Sequence, residues 1–350
     1  MHEKVDYRRI PRCISSLLTL ALALIGGGVP GVAEAAPVAP KVLVITMFKH
    51  EVGNWLEKEA LEHKTAIDGL SEAFPDLSCN DKGLCLITTS VGYANAASSV
   101  SVLVLSDEVD LSKTYILIAG IAGIDPQNGT LGSAMWARYA VDGGLQWRID
   151  DRKVLDEWTS GQFGMFAKAQ GEKPGSQYGT EVYHLNEALT GRAFELSKDV
   201  ELADSDGAKA YRQNYPEEAA KAASTVGICD TVSADQWRHG VKLSAAMNDW
   251  AKLLTNGAAD YCTTQQEGNA TLTALARGAK FGRVDMDRVA ILRTASNFDQ
   301  PYPGQVPQDS INANSGGFGP ALTNAYRVGK AFSDAVIGDW DAWAGGIPAK

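Results

Sequence analysis

Six apolar runs, each closed by turn-forming residues, predict strands at 41–48 (KVLVITMF), 84–92 (LCLITTSVG), 114–123 (TYILIAGIAG), 133–144 (SAMWARYAVDGG), 224–234 (STVGICDTVSA) and 288–297 (RVAILRTASN). Helical periodicity predicts helices over 54–73, 95–106, 239–254, 266–281 and 319–337. Strands that alternate with helices need apolar cover on both faces of their sheet. The pattern therefore predicts a three-layer α/β fold and not a β-sandwich. The stretch 133–149 has a period of two with no helix inside it, so it predicts added antiparallel strands that make the sheet mixed. Residues 150–223 are polar and contain QGEKPGSQYGTEVY and ADSDGAKAYRQNYPEEAAKAA. They read as an inserted region of loops and short helices on one sheet edge, forming a lid or an interface. No internal repeat interrupts this reading, and one domain with an insertion accounts for the chain.

The N-terminal segment stands apart from that pattern. Lys4, Arg8, Arg9 and Arg12 form a basic start, Ile14–Ile25 an apolar core, 26–31 a breaker, and Ala33-Glu34-Ala35 a small-x-small cleavage signature. Residues 1–35 thus read as a secretory signal peptide, leaving 36–350 as the mature domain in a periplasmic or secreted location. The alternative, an uncut anchor, would need about twenty apolar residues. No later run approaches that length, so no membrane span is expected after the signal. The segment carries one more basic than acidic residue, so its removal takes the net charge from −10 to −11. Such an acidic surface argues against nucleic acid or anionic lipid as a partner.

Four cysteines follow the signal. Cys79 and Cys85 flank a turn-rich "CNDKGLC" and invite a disulfide in an oxidising compartment, whereas Cys229 and Cys262 read as buried thiols. His50, His63, His184 and His239 are scattered, with no zinc-ligand spacing, so no metal is expected.

In open α/β sheets, ligands lie beyond the carboxyl ends of the strands. The sequence places polar residues there at 46–51, 88–93, 235–237 and 297–299. Six motifs in succession then carry a resemblance: KVLVITMFKHE (41–51), ITTSVGYANAASSV (87–100), ILIAGIAGIDP (116–126), TVSADQW (231–237), TTQQEGNATL (263–272) and ILRTASNFDQ (291–300). Their order resembles the nucleoside phosphorylase and nucleosidase superfamily, and within it the purine nucleoside permease (NUP) family, over about residues 40–340. The resemblance implies a phosphorylase-like core, a central mixed sheet curled towards a barrel, and purine nucleosides as ligands. It implies that Glu267 grips the ribosyl hydroxyls, Gln266 packs on the sugar, and Trp237, following Asp235, stacks on the base. Asn297 would hydrogen-bond the purine, with Arg293 nearby on the same strand, and Glu51 would activate an attacking water. Oligomers are usual in the superfamily.

The chemistry of these residue types is consistent with such roles and with simpler ones. A carboxylate that accepts from two vicinal hydroxyls fixes a sugar and places negative charge beside a developing ribosyl cation. Glu267 suits that, or it closes a Thr264-x-x-Glu267 capping box. Asn297 offers a donor and an acceptor to a purine edge, or it ends a strand as a turn residue. Asp299 could donate a proton to the base or form an Asx turn. Trp237 could stack on a purine or fill core, and Glu51 could be a solvated helix-start acid. Ile121 stands where superfamily members commonly present Ser, and no arginine clamp for phosphate is evident near Lys49, His50 or 88–93. Ser90, Gly92, Lys49 and His50 could still form an anion site from loop amides and an ammonium. No cofactor is expected, with orthophosphate a possible co-substrate. Two functions stay open: N-glycosidic cleavage of purine nucleosides outside the cytoplasm by water or phosphate, or non-catalytic capture of nucleosides for a separate transporter.

Overall fold

Burial on both faces organises the sheet. In a computed structural model, which describes residues 36–349 apart from 151, 152, 154–157 and 159, β1 (Val42–Thr46) is buried at every position. Leu43 and Ile45 pack into one apolar layer, Val42 and Val44 into the other. The expected signal segment, 1–35, lies outside the described residues.

After β1 come α1 (Lys49–Lys58), β2 (His63–Ala66), β3 (Asp76–Cys79), β4 (Leu84–Thr88), α2 (Tyr93–Leu105) and β5 (Tyr115–Ile124). β6 (Ala134–Ala137) and β7 (Tyr139–Asp142) form one strand bent at Arg138, followed by a hairpin of β8 (Gln146–Arg148) and β9 (Gln162–Gly164). β10 (Val182–His184), α3 (Glu187–Ser197), α4 (Asp206–Arg212) and α5 (Glu218–Lys221) complete the polar region. The remainder is β11 (Val226–Ile228), β12 (Asp230–Ser233), α6 (Val241–Thr255), β13 (Tyr261–Gln265), α7 (Gly268–Ala279), β14 (Val289–Phe298), α8 (Pro307–Ile311), α9 (Phe318–Gly338) and α10 (Trp340–Trp343).

The sheet is mixed. β5 pairs in parallel with β1 and β14 and in antiparallel with the end of β13. β14 runs antiparallel to β6, and β7 pairs with β12, which pairs with β13. With β6 and β7 as one bent strand, these pairings return to β5, and the sheet curls on itself. α2 and α7 cover one face through Val100, Leu103, Leu272 and Leu275. α1, α3 and α9 cover the other through Trp55, Leu189, Phe332 and Val336. Among the described residues, no helix is long and apolar enough to cross a membrane.

Several sequence expectations need correction. The helix expected over 54–73 is instead α1, ending at Lys58, followed by β2, which lies antiparallel on β3. Its first turn therefore holds Glu51. Residues 89–92 leave the second strand as a turn with Ser90 and Gly92 at positive φ. The run 224–234 splits into β11 and β12, and 133–144 is antiparallel to β14 and β10 but parallel to β12. The polar region is more than an edge insertion, because α3 buries Leu189 and Ala193 against the α9 layer.

Both cysteine pairs are bridged. Cys79 and Cys85 face each other on antiparallel β3 and β4. Cys229 and Cys262, expected as thiols, also pair. Cys229 lies between β11 and β12 and Cys262 in the adjacent β13, a proximity that their separation of 33 residues hides.

Candidate functional site

At the carboxyl ends of β1, β5 and β14 lies a cavity of about 340 Å³ lined by two buried carboxylates, Glu51 and Glu267. Glu51 reaches it from the first turn of α1. Its Oε2 accepts from the Met47 amide at 2.7 Å and its Oε1 from the Ile121 amide at 2.8 Å. Burial pushes its carboxyl up to about 7, against the pull of Arg293 and of those two amides. The position lacking the expected Ser thus contributes its backbone instead of a side chain.

Glu267 enters from the junction of β13 and α7. Its Oε1 accepts from the Gly92 amide at 3.1 Å, and burial raises its pKa while Arg293 opposes the rise. The Thr264 capping box does not form, since Thr264 lies within β13. Gln265 caps α7 instead, its Oε1 accepting from the amides of Glu267 and Gly268 at 2.8 Å each. The Glu267 side chain is thereby left for the cavity.

Arg293 does not line the cavity. It lies buried behind it on β14, opposite Gly120 in the pairing with β5, and its guanidinium nitrogens meet no acceptor among the described residues. Both carboxylates act on it through Coulomb attraction. A Cβ on Gly120 would stand 2.5 Å from Glu51 Oε1 and 2.8 Å from Arg293 Nη1. The glycine lets acid and base approach each other across β5.

Trp237, Gln266 and Asn297 also line the cavity. The Trp237 ring packs over Gly123, where a Cβ would lie 3.0 Å from it. Gln266 Nε2 donates to the Asp235 carbonyl at 2.6 Å. Asn297 Oδ1 accepts from Ser296 Oγ at 2.9 Å, and its Nδ2 donates to the Phe298 carbonyl at 3.1 Å.

Three expected residues stand behind the cavity. Asp235 Oδ1 accepts from the Tyr93 amide at 2.6 Å and so fixes the 89–93 turn. Ser90 Oγ bonds Ser71 Oγ at 2.8 Å, and only the Gly92 backbone of that pair serves the site. Asp299 is buried and does not line the cavity; its Oδ2 accepts from Ser244 Oγ and Tyr261 OH at 2.7 Å each. Its position away from the cavity does not suit proton donation to a base. Of the expected Lys49, His50 and loop-amide anion site, the Gly92 and Tyr93 amides are already engaged by Glu267 and Asp235. The sequence reading missed Gln265, Met47, Phe48 and Ile311. Only the polar run around Gln265 carried a signal. Among the described residues, no His, Cys, Asp or Glu cluster forms a metal-ligand set.

The model of the family described as "purine nucleoside permease (NUP)" matches residues 39–348. The chain belongs to the purine nucleoside permease family. It is 39% identical to a purine nucleoside permease of Candida albicans over 308 residues, which is 86% of this chain and 76% of that one. A probable purine nucleoside permease of Schizosaccharomyces pombe is 35% identical over 317 residues, covering 87% and 91%. Among solved structures, the 5′-methylthioadenosine/S-adenosylhomocysteine nucleosidase of Neisseria meningitidis, in complex with methylthio-immucillin-A, superimposes with a TM-score of 0.52 at 15% identity, over 85% of this chain and 99% of that one. The futalosine hydrolase of Helicobacter pylori gives 0.51 at 13% identity, over 85% and 98%. These likenesses establish the phosphorylase-like fold for this member of the permease family.

Proposed function

We propose that this chain binds a purine nucleoside in the Glu51–Glu267 cavity and hydrolyses its N-glycosidic bond, outside the cytoplasm. The observation that carries the reading is the pair of buried carboxylates lining one cavity, with the buried Arg293 acting on both. The names of the relatives support the choice of ligand.

Cleavage through a ribosyl-cation-like transition state needs negative charge beside the sugar, a nucleophile on the face away from the base, and a hydrogen bond to the departing base. Glu267 supplies the first by accepting from the ribosyl hydroxyls, with the Gly92 amide fixing one of its oxygens. Glu51 supplies the second. A carboxyl that ionises near pH 7 is matched to removing a proton from water, and two backbone amides hold it in place. Trp237 offers a stacking face for the base, and Asn297 a donor and an acceptor for its edge. The engaged amides of Gly92 and Tyr93 favour water over phosphate as nucleophile.

One observation favours the second reading, capture of nucleosides for a separate transporter. Asn297 is an amide, which can donate a hydrogen bond to a base but cannot deliver a proton to it. Base release from inosine, guanosine and adenosine, in phosphate-free buffer, decides between them. Hydrolysis predicts free base and ribose, and Glu51→Gln abolishes release while the nucleoside still binds. Tight binding with no release by the unaltered protein overturns hydrolysis and leaves capture.

A further inference from the structure

The charged groups that the Glu51–Glu267 cavity offers a ligand all have one sign. Among the described residues, the ionisable side chains lining it are those two carboxylates. Arg293 acts on both but is buried and does not line the cavity, so once Glu51 ionises the three groups carry one more negative charge than positive.

Backbone amides around the cavity are committed in the same sense. Those of Met47 and Ile121 donate to Glu51, that of Gly92 to Glu267 and that of Tyr93 to Asp235. The donors with which a loop could cradle a phosphate are thus held by the protein's own carboxylates. Lys49 and His50 stand at the start of α1, but both are exposed and neither lines the cavity, and an ion pair made in open water contributes little. With the sugar hydroxyls on Glu267 and the base at Trp237 and Asn297, the walls left for the 5′ carbon are the apolar ones of Phe48, Val91, Ile311 and Ala313. A phosphate brought there would lose hydration and meet repulsion, with no bonded cation in return.

We propose that the cavity takes purine nucleosides whose 5′ end is uncharged and rejects nucleoside 5′-phosphates, so that a phosphomonoesterase must act before it. The inference rests on the nucleoside reading of this cavity. In that order, one water cleaves the phosphoester of the nucleotide to give nucleoside and orthophosphate, on a separate enzyme. A second water then cleaves the N-glycosidic bond here to give base and ribose.

The test compares inosine, guanosine and adenosine with their 5′-monophosphates and their neutral 5′-O-sulfamoyl derivatives, which are close to phosphate in size. The full chain is used at about pH 8, where Glu51 and the phosphate are both ionised. Where a nucleoside is cleaved, kcat/KM is the readout; where it is only bound, the calorimetric Kd is. The monophosphate is expected to be worse than its nucleoside by about a hundredfold or more, the scale of a like-charge juxtaposition. The sulfamoyl derivative should behave like the nucleoside, and alkaline phosphatase added to the monophosphate should restore the nucleoside's behaviour. Glu267→Gln should shrink the nucleoside-to-nucleotide ratio by about tenfold, whatever it does to each value alone, because one repelling charge is gone. Equal handling of monophosphate and nucleoside would overturn this inference and leave the nucleoside reading standing. A sulfamoyl derivative as poor as the phosphate would overturn it too, since bulk and not charge would then exclude the nucleotide. No binding or cleavage of any nucleoside would overturn the nucleoside reading, and this inference with it. The ligand series uses the unaltered protein, so it decides the matter even where the variant fails to fold.

Discussion

Asp299 offers the cleanest test of how the ground beneath the site is held together. Asp299 is 1% exposed, its carboxyl takes two hydroxyl hydrogen bonds on Oδ2, and Oδ1 meets no donor among the described residues. Burial and the negative charge of Asp125 push it up to about 7, while the Tyr261 and Ser244 hydroxyls oppose the rise. The folded protein therefore holds this proton through a range in which the unfolded chain has already released it. For such a raised acid, stability is greatest below the unfolded value near 4 and is lost as pH rises towards the folded value near 7. Between pH 5 and pH 8 the linkage integrates to about two pH units of differential proton binding, or about 3 kcal/mol. Asp299→Asn keeps the shape and an oxygen for both hydroxyls, but it has nothing to ionise. Urea unfolding at the two pH values should show the variant gaining about 3 kcal/mol on the natural protein over that interval. The contribution of Glu51, which also titrates near 7, cancels in the comparison. Parallel stability curves for the two proteins would refute a protonated Asp299.

Other consequences can be measured directly. Gly120→Ala would place a methyl group against Glu51 Oε1 and Arg293 Nη1, so overpacking should cost about 1–3 kcal/mol in stability, and nucleoside binding, read by thermal shift, should fall with it; unchanged binding would mean that the close approach across β5 is not needed. Cys229→Ser opens a loop of 33 residues and should lower stability by about 4 kcal/mol in the chain-entropy account, whereas equal stability under non-reducing conditions would show that the bridge contributes nothing. Adding about 10 mM phosphate should change the rate of base release less than about twofold, because a phosphate would have to displace Glu267 and Asp235 from the loop amides that it needs. A requirement for phosphate, with ribose 1-phosphate as product, would refute that argument.

Periodicity made the three-layer plan legible because β1, β5 and β14 are buried on both faces and write continuous apolar runs. It failed where polarity and position disagree. The 54–73 stretch reads as a helix, but α1 begins at Lys49 and β2 is a largely exposed edge strand, so its residues carry no core pattern. The Cys229–Cys262 pair depends on which strands become neighbours, and no local spacing encodes that. Glu267 and Gln265 are separated by one residue and exchange the roles that a capping-box reading would give them. Thr264 looks like the cap in sequence, but it is the Gln265 side chain that turns back onto the first amides of α7.

The expected site residues divide according to what their backbone does, a distinction that composition cannot make. Ser90, Gly92, Ile121 and Asp235 all stand near the right place, yet it is the amides of Gly92, Ile121 and Tyr93 that hold the carboxylates, while Ser90 Oγ bonds Ser71. β14 shows the same effect in a strand. Its register slips between Ala295 and Asn297, so one extra residue, Ser296, is accommodated against β5. A bulge of that kind re-aims the side chains C-terminal to it. It brings Asn297 opposite Gly123, the residue on which Trp237 packs, so the amide and the indole share one end of the cavity. Arg293, four residues earlier and before the slip, stays behind the wall opposite Gly120. One strand thus supplies an amide at the Trp237 end of the cavity and a counter-charge that acts on the two acids. The slip and the two glycines of β5 make that division possible.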